Sequence, residues 1–188
     1  MARNLWQGID LDELEYNSEN EKVAFDNKGK KIYFENSDGA WKKWIYDRNG
    51  NEIYFEYSNG ESYWAKNEYD IRGNKIHHED SHGYWEKHDY DPKNNLVFYE
   101  DSNGYWEKRK YFDNCIISYE DSDGYWSKSR YDLKGNRTFH EDSDGYWEKS
   151  KYDERGNCIF VEDSKGRKEE YRYDENNLMI ETVNLCSK

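Results

Sequence analysis

Carboxylates and histidines are the side chains in this sequence with the clearest capacity for chemistry. The tetrapeptide Asp-Ser-Asp-Gly occurs at 121–124 and 142–145 and looks like a fragment of a calcium loop. Calcium requires further oxygen ligands at fixed offsets. The equivalent segments read Asp-Ser-His-Gly at 80–83 and Asp-Ser-Asn-Gly at 101–104, so the third position is not held as a carboxylate. We therefore interpret the motif as a turn rather than a calcium site, and we expect no metal ion and no cofactor.

Histidines cluster in one stretch of the chain, at His77, His78, His82 and His88. A metal site is one interpretation of such a cluster, because imidazole is a common ligand. The favoured interpretation is that histidine replaces an aromatic ring. The residues equivalent to His78 in other parts of the chain include Phe34, Phe55, Tyr99 and Tyr119.

Catalysis needs one constellation that differs from its surroundings, with a nucleophile, a base and a pocket. The carboxylates here recur in every repeat, and the sequence has no Gly-rich phosphate loop and no candidate catalytic triad. We predict that the chain is not an enzyme and has no catalytic residues.

The elements that position these residues follow from internal repetition, which decides the fold where it occurs. Tryptophans are separated by steps of 23, 21, 21, 20 and 21 residues. They are Trp41, Trp64, Trp85, Trp106, Trp126 and Trp147. Six clear repeats span 38–164, within about eight over 21–183. We expect a non-repeat N-terminal cap at 1–20 and a C-terminal tail at 184–188.

Each repeat contains two turn signals. One is Gly-Asn or Asn-Asn after Tyr-Asp, and the other is Asp-Ser-x-Gly. Glycine and asparagine accept the positive φ of tight turns. The segments between are rich in Tyr, Trp, Phe and Ile and read as strands. The pattern predicts an all-β, solenoid-like fold in which tandem hairpins of about 21 residues form one long, twisted and coiled antiparallel sheet.

Strand alternation assigns two faces. If Asp80 pairs with Tyr84, one face carries aliphatic and tyrosine residues, and we expect it to be the better buried. The other face carries tryptophan, glutamate and lysine, with Glu79 opposite Trp85 and near Lys87. Its exposed aromatic and acidic residues are our candidate binding site: Trp64, Trp85, Trp106, Trp126, Trp147, Glu79, Glu100, Glu120, Glu141 and Glu162.

The segments Tyr-Asp-Ile-Arg-Gly-Asn-Lys-Ile (69–76) and Tyr-Asp-Glu-Arg-Gly-Asn-Cys-Ile (152–159) resemble the YD repeats of Rhs and teneurin-type proteins. That resemblance implies β-hairpins that spiral into a shell. The chain departs from the family in having too few repeats to enclose a cargo. Its Asp-Gly-Tyr-Trp-Glu-Lys signature (144–149) is more similar to short, Trp-rich repeat proteins of tailed phages.

The net charge of −13 argues against a direct nucleic-acid or membrane partner and permits a basic one. The first ten residues do not resemble a signal peptide, so we expect a cytoplasmic location, which is the host cytoplasm if the chain is phage-encoded. The three cysteines, Cys115, Cys158 and Cys186, lack metal spacing and read as free thiols, with a disulfide between two of them as the alternative.

The sequence thus favours an acidic repeat protein that binds another protein, in the concrete form of a phage-encoded inhibitor of a host defence or nucleic-acid enzyme. It would act by steric block or by partial DNA mimicry. Mimicry is weakened by the charge of the repeats, which is zero over 123–143 and −3 over 144–164. The alternative is a glycan-binding or surface-adhesion module of YD-repeat type. Unpaired sheet edges also allow homo-oligomers.

Overall fold

The computed structural model describes residues 5–185, and apart from one 3-10 helix its regular elements are strands. A short hairpin of β1 (Leu5–Trp6) and β2 (Ile9–Asp10) precedes the 3-10 helix (Leu11–Glu13). Sixteen strands then follow as antiparallel neighbours, in chain order. They are β3 (Glu21–Phe25), β4 (Lys31–Asn36), β5 (Trp41–Tyr46), β6 (Glu52–Ser58), β7 (Ser62–Tyr69), β8 (Lys75–Asp80), β9 (Trp85–Tyr90), β10 (Leu96–Asp101), β11 (Trp106–Phe112), β12 (Cys115–Asp121), β13 (Trp126–Tyr131), β14 (Arg137–Asp142), β15 (Trp147–Tyr152), β16 (Cys158–Asp163), β17 (Lys168–Tyr173) and β18 (Met179–Asn184).

The chain is therefore the all-β array of antiparallel hairpin repeats that the sequence predicts. It divides into two compact units, which we call the N-terminal unit (1–88) and the C-terminal unit (89–188). No helix in the described part of the chain is long and apolar enough to cross a membrane.

The two turn signals of a repeat have the same backbone design. In the first, the Asp70 N–H donates to the Asn74 carbonyl at 2.9 Å, and Gly73 adopts a φ of +87°. In the second, the Asp80 N–H donates to the Tyr84 carbonyl, also at 2.9 Å. Each aspartate also accepts two backbone N–H groups of its own turn. The recurrent Asp thus folds the turn at both ends of a hairpin.

A β-bulge accompanies each Tyr-Asp turn for which the strand register is described. Arg130 of β13 lies opposite Phe139, whereas Tyr131 lies opposite Arg137, so Thr138 is the extra residue. The extra residue bends the strand. The residues before and after it each remain on the same face of the sheet as the residue that lies opposite them. Most of the aliphatic positions recognised in the sequence are these bulge residues, including Ile76. In the last repeat the bulge residue is Ile180.

The two irregular tryptophan spacings, of 23 and 20 residues, both arise at turns. The insertion at Glu61-Ser62 lengthens the hairpin of β6 and β7, which continues to a Ser58–Ser62 pair. The deletion leaves a two-residue turn in which Asp113 and Asn114 have φ of +47° and +66°. Positive φ at both central residues defines a type I′ turn, whose twist matches that of the flanking strands. The ladder therefore absorbs length changes without losing register.

Burial is sparse because the sheet forms a single layer. In the C-terminal unit the described buried side chains are Glu107, Ser150 and Val161, and alternation from the tryptophans places all three on the aliphatic and tyrosine face. That unit has the better buried face that the sequence predicts. Two buried residues of the N-terminal unit, Ala24 and Tyr33, lie instead on the tryptophan face.

The N-terminal segment explains this difference. Trp6 stacks near Tyr54 with ring centroids 6.2 Å apart, and its indole N–H donates to the Ile32 carbonyl at 2.9 Å. Leu11, the buried residue of the 3-10 helix, packs into the same cluster as Tyr33. The described part of the predicted cap therefore lies over the tryptophan face of the first strands, where Leu11 joins the buried cluster and Trp6 packs against it.

Candidate functional site

In each unit the predicted binding residues lie on one side of the strands, which we call the Trp face. In each repeat this face contains the tryptophan and the residues two and four positions after it. It also contains every second residue of the neighbouring strand, counted from the glutamate that lies opposite the tryptophan. The register fixes this arrangement, since Glu79 lies opposite Trp85, Glu120 opposite Trp126 and Glu141 opposite Trp147. Within each unit the predicted residues therefore form a repeating surface.

A lysine two positions after each of these tryptophans covers one side of the ring. The ammonium groups lie between 4.4 and 5.0 Å from the ring centroids in six repeats. The pairs are Lys43–Trp41, Lys66–Trp64, Lys87–Trp85, Lys108–Trp106, Lys128–Trp126 and Lys149–Trp147. A cation over an aromatic face is attracted by the ring quadrupole. The indoles are thus less open than the sequence suggested.

Lysine also binds the glutamate of the next strand. Lys66 Nζ lies 2.9 Å from Glu79 Oε1, and the hydrogen bond from Lys66 holds the pKa of Glu79 below its usual value. Lys149 lies 3.2 Å from Glu162 in the same geometry. The sequence had placed Lys87 beside Glu79. The described ion pair comes instead from the preceding repeat, because the strand carrying Lys66 is the other neighbour of β8.

The predicted exposure of the tryptophans holds for one of them. Trp126 is 37% exposed, whereas Trp64, Trp85, Trp106 and Trp147 are half-buried. Glu120 is exposed, and Glu79, Glu100, Glu141 and Glu162 are half-buried. The face is therefore a mixed surface of partly covered rings and paired charges rather than an open aromatic and acidic ladder.

Equivalent residues are staggered between repeats. Arg130 lies opposite Phe139, and Phe139 lies opposite Lys149, whereas the residue equivalent to Arg130 is Lys151. Relative to the preceding repeat, each repeat is thus shifted by two residues along the strand direction and by two strands across the sheet. With strands ~4.8 Å apart and a rise of ~3.4 Å per residue, equivalent side chains are ~12 Å apart, farther than strand spacing alone implies.

Sequence reasoning missed three cations on this face. Lys110, Arg130 and Lys151 stand four positions after a tryptophan, and each is exposed. Strand alternation alone would have placed them with the tryptophans. They line two shallow grooves, one over Ser118 and Phe139 and the next over Phe139 and Phe160.

The Asp-Ser-Asp-Gly segments act as turns. One oxygen of Asp121 accepts the backbone N–H groups of Asp123 and Tyr125, at 3.0 and 3.1 Å. Ser143 pairs with the backbone of Trp126, to which it is tied by two hydrogen bonds of 2.9 and 3.2 Å. Across residues 5–185, no three His, Cys, Asp or Glu side chains are grouped so as to hold a metal ion.

Two histidines occupy positions that other repeats fill with tyrosine. His78 packs against Tyr84 with ring centroids 6.1 Å apart, and Tyr119 packs against Tyr125 at 5.9 Å. The interplanar angle is 54° in both pairs. His140 has the same kind of neighbour in Tyr146. This geometry supports the interpretation of these histidines as replacements for an aromatic ring.

The opposite face contains a buried polar network. The Tyr119 hydroxyl lies 3.2 Å from Glu107 Oε2 and 3.1 Å from Asp121 Oδ2, and it also contacts the Tyr105 hydroxyl at 3.1 Å. Burial, together with hydrogen bonds to these partners, raises the pKa of Tyr119 far above its usual value. Glu107 also accepts a hydrogen bond from Arg109. The network links β11 to β12, and within it the buried Arg109 Nε has no hydrogen-bond partner among the described residues.

The cysteines provide no second site. Cys115 and Cys158 are free thiols, and burial raises the pKa of Cys158. Cys186 and residues 186–188 of the predicted tail lie outside the described residues, as do residues 1–4 of the predicted cap.

Comparison with known proteins gives similarities of structure alone. No family model matches the chain, and no curated protein matches it. A crystal structure of TcdB2-TccC3-Cdc42 superposes with a TM-score of 0.48 and 10% identity, covering 89% of this chain and 12% of that chain. A structure of the Photorhabdus luminescens Tc holotoxin pore gives a TM-score of 0.49 and 10% identity, covering 89% and 11%.

This chain therefore spans about an eighth of the length of the toxin chains it matches. Each described Tyr-Asp pair of this chain closes a β-hairpin, as the resemblance of the sequence to YD repeats implies. Superpositions at this level carry no information about activity or partner.

Proposed function

We propose that this chain is a non-enzymatic recognition module that binds a partner protein through its Trp face. The observation that carries the proposal is the Trp face of the C-terminal unit. The described residues of that unit form only strands of one sheet and their turns, so no second layer covers the face from within the unit. Tryptophan, tyrosine and arginine are the residues that most often anchor protein interfaces.

The finer proposal is a phage-encoded inhibitor that acts in the host cytoplasm on a defence or nucleic-acid enzyme. Its support is the resemblance of the Trp-rich repeats to those of tailed phages. Of the two modes of inhibition, the geometry favours steric block over DNA mimicry. Glutamates of the Trp face are paired with lysines, as in Lys108–Glu120 at 3.4 Å. Paired charges present a weaker field than the dense phosphate charge of a duplex.

Glycan binding ranks second. Sugar rings stack on open aromatic faces, and lysine ammonium groups occupy one side of the rings on this face. Trp126, the most exposed of the tryptophans, is the residue on which that alternative depends. If a glycan array gives no hits at protein concentrations up to ~0.1 mM, glycan binding is excluded as the alternative.

Photo-crosslinking in cells tests the proposed function. A benzoylphenylalanine is placed at Trp126 and, as a matched control, at Tyr125. Both residues are 37% exposed. Trp126 begins β13, whereas Tyr125 precedes that strand and its ring packs against Tyr119 on the opposite face. We expect a discrete protein adduct from position 126 and a much weaker one from position 125. Equal adducts from both positions, or none from position 126, would overturn the proposal.

A specific observation also favours self-association. Strand β18 is the last in the sheet order, and it exposes Met179 at 59% and Ile180 at 65%. An edge strand with exposed apolar side chains is a template for pairing with another strand. We propose that two copies pair through β18. Light scattering during size-exclusion chromatography should show a dimer that Ile180→Lys dissociates, and a wild-type monomer at ~0.1 mM would contradict it.

A further inference from the structure

The basic residues of the Trp face are concentrated in the C-terminal unit. We call Lys110, Arg130 and Lys151 the basic stripe. Their strand neighbours on this face are uncharged, because Lys110 lies opposite Ser118, Arg130 opposite Phe139 and Lys151 opposite Phe160. Among the described residues, none of the three forms an ion pair. The stripe is therefore uncompensated positive charge within a chain of net charge −13.

Two consecutive grooves have this character. The first is lined by Lys110, Lys128 and Arg130 against one carboxylate, Glu141. Because Lys128 pairs with Glu141 at 3.9 Å, the two members of the stripe remain unpaired.

The next groove repeats the arrangement with Arg130, Lys149 and Lys151 against Glu162. Lys149 pairs with Glu162 at 3.2 Å, which again leaves two cations unpaired. Each groove thus has a charge of +2 from its lining residues.

Aromatic rings separate the cations of the stripe. The Arg130 guanidinium lies 5.4 Å from the Phe139 ring centroid, and the Lys151 ammonium lies 5.2 Å from that of Phe160. Ser118 stands where the next two repeats have these phenylalanines, and the smaller side chain opens the first groove. Each groove therefore offers a cation beside an apolar surface.

The stripe is a local feature rather than a consequence of the repeat. The three preceding repeats have Ile45, Glu68 and Asp89 at the equivalent position, four residues after their tryptophans. Along the chain, the residue four positions after the tryptophan is thus first uncharged or acidic and then basic in three successive repeats. Its charge changes sign once and does not alternate from repeat to repeat.

We propose that the basic stripe binds an extended acidic peptide segment of the partner, with carboxylates on the cations and apolar side chains on Phe139 and Phe160. Equivalent cations lie ~12 Å apart, which approaches the ~13 Å between residues i and i+4 on one side of an extended peptide. This inference rests on the proposed function and specifies which part of the Trp face is used and by what chemistry.

A nucleic acid is the competing polyanion. The net charge of −13 repels a polymer as densely charged as nucleic acid, whose duplex carries a phosphate every ~1.7 Å of axis. Three cations spaced ~12 Å apart match a sparse row of carboxylates better than a phosphate backbone. The charge and spacing of the stripe thus favour a peptide, and nucleic acid is retained as an outcome of the test.

Fluorescence anisotropy with defined probes tests the proposal. The probes are a labelled thirteen-residue peptide with glutamate at every fourth position and leucine between, the same peptide with lysine for glutamate, and oligothymidylate of equal length. The stripe variant is Lys110→Gln/Arg130→Gln/Lys151→Gln. The matched control is Lys134→Gln/Arg155→Gln/Lys165→Gln, which has the same net charge but changes turn residues of the same unit.

We expect the acidic peptide to bind the wild type, to bind the stripe variant at least ~10-fold more weakly and to bind the control variant within about twofold of wild type. Raising the salt concentration should weaken the binding. Circular dichroism and thermal melting establish that both variants are folded. The lysine peptide should not bind.

Several outcomes would overturn the inference. The first is that the acidic peptide does not bind the wild type. The second is that the stripe and control variants lose the same amount of affinity for it. The third is that oligothymidylate binds more tightly than the peptide and loses affinity in the stripe variant. The Trp126 crosslink separates this result from the proposed function. If the adduct is unchanged in the stripe variant, the partner uses the Trp face without the stripe, and only the present inference fails.

Discussion

The hydroxyl of Tyr173 donates a 2.9 Å hydrogen bond to the carbonyl oxygen of Cys158, fifteen positions earlier in the chain. Tyr152 makes the same bond to the Arg137 carbonyl at 3.1 Å. In each case the acceptor belongs to the residue just before the bulge of the preceding repeat. The tyrosine of the Tyr-Asp pair thus joins one repeat to the one before it, while the aspartate folds the turn.

Removing this hydroxyl should therefore weaken the contact between repeats. We expect Tyr152→Phe and Tyr173→Phe each to lower the free energy of unfolding by about 1 kcal/mol, the net contribution of one hydrogen bond. Tyr125→Phe is the control, because its hydroxyl has no hydrogen bond to the described residues. Urea unfolding followed by fluorescence measures all three. A loss from Tyr125→Phe as large as from the other two would contradict the assignment.

The shortened turn predicts a second effect. Asn114 has a φ of +66°, which costs an L-residue with a Cβ roughly 1–2 kcal/mol. Asn114→Gly should be neutral or stabilising, and Asn114→Ala should be destabilising by about 1 kcal/mol. Both variants lose the same 3.3 Å contact from Asn95, so their difference in melting temperature isolates the backbone. Equal melting temperatures would show that this turn changes conformation.

Acid stability depends on the aspartates of the Tyr-Asp turns. Partial desolvation raises the pKa of Asp70, but hydrogen bonds from Asn74 and Arg72 outweigh it and lower the pKa to about 2. Hydrogen bonds from Asn136 likewise lower the pKa of Asp132. A carboxyl with a lowered folded-state pKa stabilises the fold above its unfolded pKa of about 4, and this contribution is lost as the pH falls through about 2.

We expect the free energy of unfolding to fall progressively between about pH 4 and pH 2. Asp70→Asn keeps an oxygen that accepts the turn N–H groups but has no charge to titrate. Its unfolding free energy should lie below that of wild type at pH 7 and converge with it near pH 2. Urea titrations at several pH values measure the difference, and a gap that stays constant with pH would refute the linkage.

The fold was predictable because every local signal agreed with it. Turn residues at both ends of each strand fixed the hairpins, and the tryptophan and Tyr-Asp spacings fixed the register, including the slips near Glu61 and Asp113. Alternation then placed the candidate residues of each unit on one face. Local patterns with a short period were sufficient for these features.

Contacts between neighbouring repeats were harder to foresee. The described ion pair of Glu79 is with Lys66 of the preceding repeat, because a strand has two neighbours and the sequence pattern identifies only the one across the shorter turn. The cation over each indole depends on rotamers that alternation does not specify. The packing of Trp6 over Tyr54 joins a non-repeat segment to the sheet, and no periodic signal describes it. The basic stripe does not follow from the repeat pattern, since the equivalent position holds Ile45, Glu68 and Asp89 in the preceding repeats.

Alkaline stability gives a last prediction, with the opposite sign to the acid one. Burial and hydrogen bonds to Tyr105, Asp121 and Glu107 raise the pKa of Tyr119, and burial also raises that of Tyr152. A phenol whose folded-state pKa is raised contributes stability that is fully present below its unfolded pKa of about 10 and is lost as the pH rises above it. Tyrosinate absorbance should therefore appear late and together with the loss of the β-sheet circular dichroism signal. Tyr119→Phe should therefore remove one late-titrating phenol from the absorbance titration. If Tyr119 ionises near pH 10 with the sheet intact, its hydroxyl does not hold Glu107 and Asp121 together in solution.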